Sequence, residues 1–427
     1  MTLKLAIVGG GSTYTPELID GFARLRDSLP IGELVLIDPA TERLELIAGL
    51  ARRIFAKQGH SAKISTTTSV ADGVRDAHAV LLQLRIGGQA ARAEDESWPL
   101  ECGCVGQETT GAGGLAKALR TVPVVLDIAD QIRRVSPDAW IVDFTNPVGI
   151  VTRALQTAGH KAVGLCNVAI HLQRNFARHL GVDPELIRLD HVGLNHLTWE
   201  RGVRLLDHPG ADTGREVLPE LLAGFGHEIA DDLGLPVSLI RHLGVIPSYY
   251  LRYFYQHDTV VEELKAKGSR ASEVAAIEQE LLALYADPAL DTKPDLLEKR
   301  GGAFYSEAAV QLIAALLGTG GGSVQVVNTR NDGVLPFLPD DAVIEVPAWV
   351  DAAGVCPLPQ QRVEHLYRGL IAHTTDYEYL ALDAALKGGR GRVFDALLAH
   401  PLVGQLELAE QLTDRLIAHN RDHLSWA

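Results

Sequence analysis

Short apolar runs alternate with stretches of helical periodicity through the first part of the chain. Residues 3–8, 33–38 and 79–84 are largely apolar runs of strand length, whereas apolar side chains recur every three or four positions over 41–57 and 115–135. Strands that alternate with helices form parallel sheets whose two faces are covered by the helices. The pattern therefore predicts an α/β fold that begins with a Rossmann-like parallel sheet.

The pattern changes after residue 169. A helix is predicted there, followed by two antiparallel strands over 187–194 and 197–205 and then by mostly helical sequence. No internal repeat or linker marks the change, so the division rests on pattern alone. We predict a Rossmann-like NAD-binding domain over residues 1–169 and an α+β catalytic domain, with metal and substrate, over residues 170–427.

A glycine turn joins the first predicted strand to the first predicted helix. The turn, and the acid that ends the second strand, are Gly9, Gly10, Gly11, Ser12 and Asp38. Glycines let the backbone approach a pyrophosphate, and a carboxylate after the second strand can bond a ribose. Tyr14 stands where the usual fingerprint has its third glycine. The turn predicts dinucleotide binding, and an ordinary strand-to-helix turn is the alternative.

Cys166 and His196 each follow a short apolar run that ends abruptly in polar residues. Thiolate and imidazole are ligands that suit a divalent transition metal. Isolated cysteines and histidines are more often structural, so the pair by itself is a weak signal. It gains weight because the chain opens with a nucleotide-binding turn.

Four further polar residues have both a functional and a structural interpretation, and a fifth, Arg270, has only a structural one. Arg92 follows a strand end where an anionic group can bind, and Asn146 can bond a sugar hydroxyl or cap a helix. Glu108, in a loop of small residues, is either solvated or orients a catalytic group. Tyr250 lies in an aromatic cluster that favours packing, although a tyrosine can act as a base. Arg270 by itself indicates a surface charge.

Composition excludes several classes of partner. The formal charge of −15 argues against nucleic acid and anionic membrane surfaces, which require basic patches. Four cysteines are too few for a disulfide scaffold in 427 residues, and no apolar run reaches the length of a membrane helix. With no signal peptide in the sequence, we expect a cytoplasmic protein.

Taken together, these motifs resemble glycoside hydrolase family 4, the NAD- and divalent-metal-dependent glycosidases, and within it the 6-phospho-beta-glucosidases. The matching motifs are Gly9-Gly-Gly-Ser-Thr-Tyr-Thr-Pro16, Arg85-Ile-Gly-Gly88, Gly106 to Gly114, Asp143-Phe-Thr-Asn-Pro147, Gly164-Leu-Cys-Asn167, Gly193-Leu-Asn-His196 and Tyr250-Leu-Arg-Tyr253. They run in family order from residue 5 to about residue 260. No single motif is specific, but the ordered set is.

The resemblance implies a role for each site residue. Cys166 and His196 look like ligands of manganese, Tyr250 like the base, and Glu108 like the acid that makes Tyr250 more basic. The implied substrate contacts are Arg92, Asn146, Asn167 and Arg270, the last of them to a phosphate. The alpha-specific members are expected to carry an aspartate at the position of Asn167, so the resemblance favours the beta type. Ala169 stands where the beta-type pattern has proline.

The implied reaction differs from that of most glycosidases, which use two opposed carboxylates. NAD takes hydride from carbon 3 of the sugar, the resulting ketone makes the proton on carbon 2 acidic, and the aglycone leaves by elimination. Water then adds and hydride returns, so NAD is recycled. The implied substrate is a phosphorylated disaccharide or aryl glycoside.

Two other functions remain open from the sequence. One is an NAD-dependent dehydrogenase of a sugar or hydroxy acid with net NADH production, and the other is a sensor that binds NAD without turnover. The sequence also leaves open glucoside against galactoside, the need for the 6-phosphate and the physiological metal. The family suggests a homo-oligomer, either dimer or tetramer.

Overall fold

The computed structural model describes residues 2–211, 213–300 and 304–427. Its first six strands are β1 (Leu3–Val8), β2 (Ile31–Ile37), β3 (Lys63–Thr67), β4 (Ala79–Leu82), β5 (Trp140–Asp143) and β6 (Ala162–Gly164). They pair in parallel in the order β3-β2-β1-β4-β5-β6. This is the doubly wound order of dinucleotide-binding sheets, with its switch point between β1 and β4. The predicted Rossmann-like sheet is confirmed.

Helices connect these strands. They are α1 (Thr15–Arg24), α2 (Thr41–Lys57), α3 (Val70–Val74), α4 (Gly88–Glu101), α5 (Gly111–Val135), α6 (Val148–Thr157) and α7 (Val168–Leu180). The predicted helix over 41–57 has those bounds, but α5 begins four residues before the predicted 115. A Cβ on Gly113 would lie 2.4 Å from the Gln107 carbonyl oxygen, so glycine lets the first turn of α5 pack directly on the preceding backbone.

Later strands continue the same sheet. They are β7 (Ile187–Leu194), β8 (Leu197–Leu206), β9 (Gly214–Glu216), β10 (Ile246–Pro247), β11 (Ser323–Arg330), β12 (Val343–Asp351) and β13 (Gly354–Pro357). Strand β11 pairs antiparallel with β6, and the order continues β12-β7-β8-β10, with β9 and β13 on β8 and β12. The predicted antiparallel pair β7–β8 is confirmed. Because one sheet crosses the chain position 169/170, the division into two domains there stays a prediction.

The later helices pack on both the parallel strands and the antiparallel strands of the sheet. They are α8 (Leu218–Leu233), α9 (Val237–Leu243), α10 (Arg252–Tyr255), α11 (His257–Lys267), α12 (Arg270–Ala286), α13 (Leu296–Arg300), α14 (Tyr305–Leu316), α15 (His365–Lys387), α16 (Arg390–Leu398) and α17 (Leu406–Asn420). Among the described residues, no helix is both long and apolar enough to cross a membrane.

Successive side chains along β1 point to opposite faces of the parallel sheet, and a different set of helices packs on each face. Leu5 and Ile7 pack in one core with α1, α2 and α14, whereas Ala6 and Val8 pack in another with α5, α15 and α17. Helices from the end of the chain therefore complete both cores of the parallel half.

Candidate active site

A cavity of about 540 Å³ opens beyond the carboxyl ends of the parallel strands. Ligands of doubly wound sheets bind at this edge, next to the switch point. The cavity is lined by Gly9, Gly11, Ser12, Tyr14, Leu18, Asp38, Pro39, Ala40, Arg43, Gln83, Leu84, Arg85, Ile86, Gly88, Gln89, Arg92, Glu108, Lys117, Phe144, Asn146, Asn167, His196, Tyr250, Val274, Glu278, Arg300 and Tyr305. It therefore contains most of the residues that the sequence analysis selected, although they come from distant parts of the chain.

The glycine turn is packed so tightly that side chains are excluded. Gly9 has φ +86°, and a Cβ there would lie 2.7 Å from the Gln83 carbonyl oxygen. The Gly11 N–H donates to one Asp38 carboxylate oxygen at 3.1 Å, while the Ala40 N–H donates to the other at 2.9 Å. The carboxylate thus fixes the turn and also faces the cavity, where a ribose hydroxyl can reach it.

Tyr14 takes the place of the third glycine without backbone strain, since its φ is −81° at the start of α1. Its ring lies edge-on to Tyr305 at 6.0 Å and beneath the Arg300 guanidinium at 5.5 Å. Arg300 in turn pairs with Glu278 at 3.0 Å. Arg300, Glu278 and Tyr305 were not among the site residues predicted from the sequence. The one signal in the sequence was at Arg300, a charged residue that precedes two glycines.

The Tyr250 side chain contacts His196 and lies within electrostatic range of Cys166. His196 lies in the two-residue turn between β7 and β8 with φ +63°, and its ring stacks on Tyr250 with 3.6 Å between centroids and 6° between planes. Burial raises the pKa of Tyr250 well above its usual value, and the charges of Cys166, Tyr305 and Glu108 raise it further. Cys166 is buried directly after β6, within electrostatic range of that phenol.

The donor set of this pair suits a metal with open coordination positions. Burial lowers the pKa of His196 to about 4, so the imidazole is neutral, and its Nδ1 lies 3.0 Å from the Thr109 hydroxyl. Over residues 2–211, 213–300 and 304–427, no three His, Cys, Asp or Glu side chains form a group that could hold a metal ion. A metal here would take Cys166 and His196 from the protein and its remaining ligands from substrate or water.

Glu108 is a buried carboxylate surrounded by three cations. Lys117 Nζ lies 2.5 Å from its Oε2, Arg92 Nε lies 3.2 Å from its Oε1, and Arg85 also pairs with it. Although burial raises the pKa of Glu108, the charges of Lys117, Arg85 and Arg92 hold it well below its usual value. Lys117 was not predicted from the sequence, where its signal is a lone charge in the apolar first turns of α5.

Three predicted substrate contacts line the cavity. Arg92 is held by Glu96 at 2.7 Å, Asn167 directly precedes α7, and Asn146 follows β5. The side-chain oxygen of Asn146 is buried without a hydrogen-bond partner among the described residues. A buried amide oxygen of this kind is a natural acceptor for a sugar hydroxyl.

Arg270, like Gly10 and Cys166, is a predicted site residue that is not part of the cavity lining. It begins α12, where its guanidinium pairs with Glu273 at 2.5 Å and donates to the Lys299 carbonyl at 2.8 Å. Val274 and Glu278, one and two turns further along α12, do line the cavity. Arg270 is therefore on the cavity face of its helix, one turn beyond the lining.

Comparison with known proteins covers nearly the whole chain. The sequence profile described as "Family 4 glycosyl hydrolase" matches residues 4–182, and the profile of its C-terminal domain matches residues 191–403. A protein of Bacillus subtilis named "Probable 6-phospho-beta-glucosidase" is 37% identical, over 99% of this chain and 97% of the relative.

Solved structures agree with the sequence comparison. The 6-phospho-beta glucosidase from Thermotoga maritima with NAD and glucose-6-phosphate is 33% identical with a TM-score of 0.92, and 99% of each chain is covered. The same enzyme with manganese, NAD+ and glucose-6-phosphate has a TM-score of 0.90, again at 33% identity and 99% coverage of each chain.

Proposed function

The chain belongs to glycosyl hydrolase family 4, and from that premise we propose that it hydrolyses 6-phospho-beta-glucosides with the help of NAD and a divalent metal, manganese first. The observation that carries the proposal is the single cavity of about 540 Å³. It joins the glycine turn and Asp38 to Asn146, His196 and Tyr250. A dinucleotide and a sugar can therefore bind side by side.

The residues present fit both groups. The turn at Gly9 and Gly11 leaves backbone exposed before α1, and Asp38 offers a carboxylate to a ribose. Cys166 and the neutral imidazole of His196 would hold the metal. When bound, NAD supplies a reversible hydride acceptor and the metal a Lewis acid.

The side chains of this protein then orient the sugar and move a proton. Tyr250, as the phenolate that a cation bound beside it would favour, takes the proton from carbon 2, and its stack on His196 fixes the direction of the phenol oxygen. Glu108, kept ionised by its three cations, makes that phenol more basic. Asn146 accepts from a sugar hydroxyl, and Asn167, whose amide cannot donate a proton at neutral pH, fits a beta-glycoside.

The charge of the cavity supports an anionic substrate. Five cationic side chains line it against three acidic ones, in a chain with a formal charge of −15. The excess suits the pyrophosphate of NAD and the phosphate of a 6-phosphosugar. We keep Arg270 as the proposed phosphate contact, and a homo-oligomer as the proposed assembly.

A panel of nitrophenyl glycosides tests the proposal. The 6-phospho-beta-glucoside, its alpha anomer, its galactoside counterpart and the unphosphorylated beta-glucoside would be compared with NAD, Mn²⁺ and a reductant. We expect nitrophenol release from the 6-phospho-beta-glucoside without accumulation of NADH, loss of activity with a chelator and recovery with Mn²⁺. Stoichiometric NADH would instead identify a dehydrogenase, and ligand binding without turnover a sensor.

A further inference from the structure

One row of paired residues crosses the sheet behind the two proposed metal ligands. Gly164 on β6 pairs with Asn328 on β11, Asn328 pairs with Glu345 on β12, and Glu345 pairs with Gly193 on β7. Gly164 lies two residues before the thiol ligand, and Gly193 lies three residues before the imidazole ligand. The middle of the row therefore connects the two strands that end at the metal site.

Glu345 is buried at the centre of this row, where three polar side chains contact its carboxylate. Its Oε2 accepts from the Asn195 amide at 2.9 Å and from the Asn328 amide at 3.0 Å, while its Oε1 lies 3.1 Å from His191 Nε2. The Asn195 side chain in turn lies close enough to the Cys166 thiol to lower its pKa, although burial raises that pKa overall. A chain of side-chain contacts thus runs from Glu345 to the sulfur.

His191 links Glu345 to a second buried carboxylate. Its Nδ1 lies 2.5 Å from Glu200 Oε1, and all three side chains are almost fully buried. Burial by itself lowers the pKa of His191, but Glu200 and Glu345 raise it to about 10, so the ring is a cation. Two carboxylates and one imidazolium leave one net negative charge beside the site, which favours a dication.

We propose that Glu345 is a positioning residue of the metal site, with Asn195 as its contact to the sulfur of Cys166 and with His191 and Glu200 as its support. The inference rests on the metal site of the proposed function. Groups that orient metal ligands in this way commonly change metal affinity by about 10- to 100-fold when they are replaced. The ligand class is a divalent transition metal cation.

Two substitutions at Glu345 distinguish a loss of its charge from a loss of its hydrogen bonds. In Glu345→Gln, the amide oxygen can still accept from Asn195 and Asn328, so the contacts that lead to the metal site persist. Glu345→Leu removes all of them. Tyr255→Phe is the matched control, since it removes a hydrogen bond of 3.2 Å to Trp199, next to Glu200 on β8, without touching the row.

The experiment titrates the metal-free full chain with Co²⁺ under reducing, oxygen-free conditions. It follows the thiolate-to-cobalt charge-transfer band, with thermal unfolding and NAD binding as tests of folding. We expect Glu345→Leu to raise the Kd for Co²⁺ about 10- to 100-fold and to weaken the band, Glu345→Gln to recover most of the affinity, and Tyr255→Phe to match the wild type.

Each other outcome has a distinct meaning. Equal Kd values for the wild type and folded Glu345→Leu overturn the positioning role, and so do equal losses in Glu345→Leu and Glu345→Gln. Absence of any charge-transfer band in the wild type overturns the Cys166 metal site itself, and the positioning role with it.

Discussion

The ring of His196 lies flat on the ring of Tyr250, with 3.6 Å between the centroids and 6° between the planes. The proposed metal ligand and the proposed base therefore share one rigid stack. Because His196 also contacts the Thr109 hydroxyl at 3.0 Å, the orientation of the stack is fixed from the side of the Glu108 loop. Metal binding and proton transfer can be separated only by a change that keeps the stack.

Tyr250→Phe is such a change, because it removes the phenol oxygen and keeps the ring. If Tyr250 takes the proton, kcat on the 6-phospho-beta-glucoside should fall by about 10²- to 10⁴-fold, the usual share of a general base. Affinity for Co²⁺ and for NAD should stay within about twofold, since neither contact uses the oxygen. Steady-state kinetics and metal titration on one preparation check both. Unchanged kcat would show that another group is the base.

Gly9→Ala tests the dinucleotide site. Gly9 combines φ +86° with a Cβ position 2.7 Å from the Gln83 carbonyl, so alanine must strain the turn and displace backbone. We expect the Kd for NAD to rise at least about tenfold, which is about 1.4 kcal/mol, because the turn must shift to relieve the contact with Gln83. Gly59→Ala is the control, with φ +68° and nothing within 4 Å of the added Cβ.

Fluorescence titration with NAD compares the two variants. Gly59→Ala should lose about 1 kcal/mol of stability and keep its NAD affinity. Equal NAD affinities for Gly9→Ala and the wild type would remove the turn from the cofactor site.

The cluster predicts that removing the Glu108 carboxylate lowers the stability of the fold more than removing one of its cations. Glu108→Gln leaves Lys117, Arg85 and Arg92 together without their carboxylate, and should destabilise the fold by about 3–5 kcal/mol. Lys117→Met should cost less, because two arginines still pair with Glu108. Urea unfolding measures both.

The exposed ion pair between Lys57 and Asp291 is the reference for that comparison. Lys57→Met removes the 2.6 Å pair with Asp291, whose side chains are both nearly half exposed, and should cost about 0–1 kcal/mol. A larger loss from Lys117→Met than from Glu108→Gln would contradict the account of Glu108 as the buried centre of charge.

The sequence predicted the parallel half because its signals are local. Apolar runs, helical periodicity and a glycine turn each lie within about 20 residues, and they yielded β1, α2 and the turn at Gly9. Asp38 and Asn146 were found because each closely follows a strand whose end lies at the edge of the sheet, whereas the role of Asn167 came from the family resemblance.

Residues that depend on distant packing could not be found in this way. Lys117, Glu278 and Arg300 are ordinary helical charges in the sequence, and they line the cavity only because α5, α12 and α13 pack around it. The continuous sheet rests on one pair between β6 and β11, Gly164 with Asn328, which no local pattern specifies.

The last prediction concerns Arg270, whose surface pair opposes its proposed role. To reach a phosphate, Arg270 must leave Glu273, which lies 2.5 Å away. Arg270→Ala should raise KM for the 6-phospho-beta-glucoside about 10- to 100-fold, the value of a charged hydrogen bond. Glu273→Gln should lower KM by up to about fivefold, because it releases the guanidinium from a pair worth at most about 1 kcal/mol.

Because KM is expected to rise in Arg270→Ala and to fall in Glu273→Gln, the two variants together test phosphate binding specifically. Neither variant should change NAD affinity, because Arg270 lies outside the cavity lining. Arg415→Ala, which breaks another surface pair, with Glu101, is the matched control and should leave KM unchanged. If Arg270→Ala and Arg415→Ala behave alike, the phosphate is bound by cations that already line the cavity. Arg300, buried between Tyr14 and Glu278, would then be the next residue to replace.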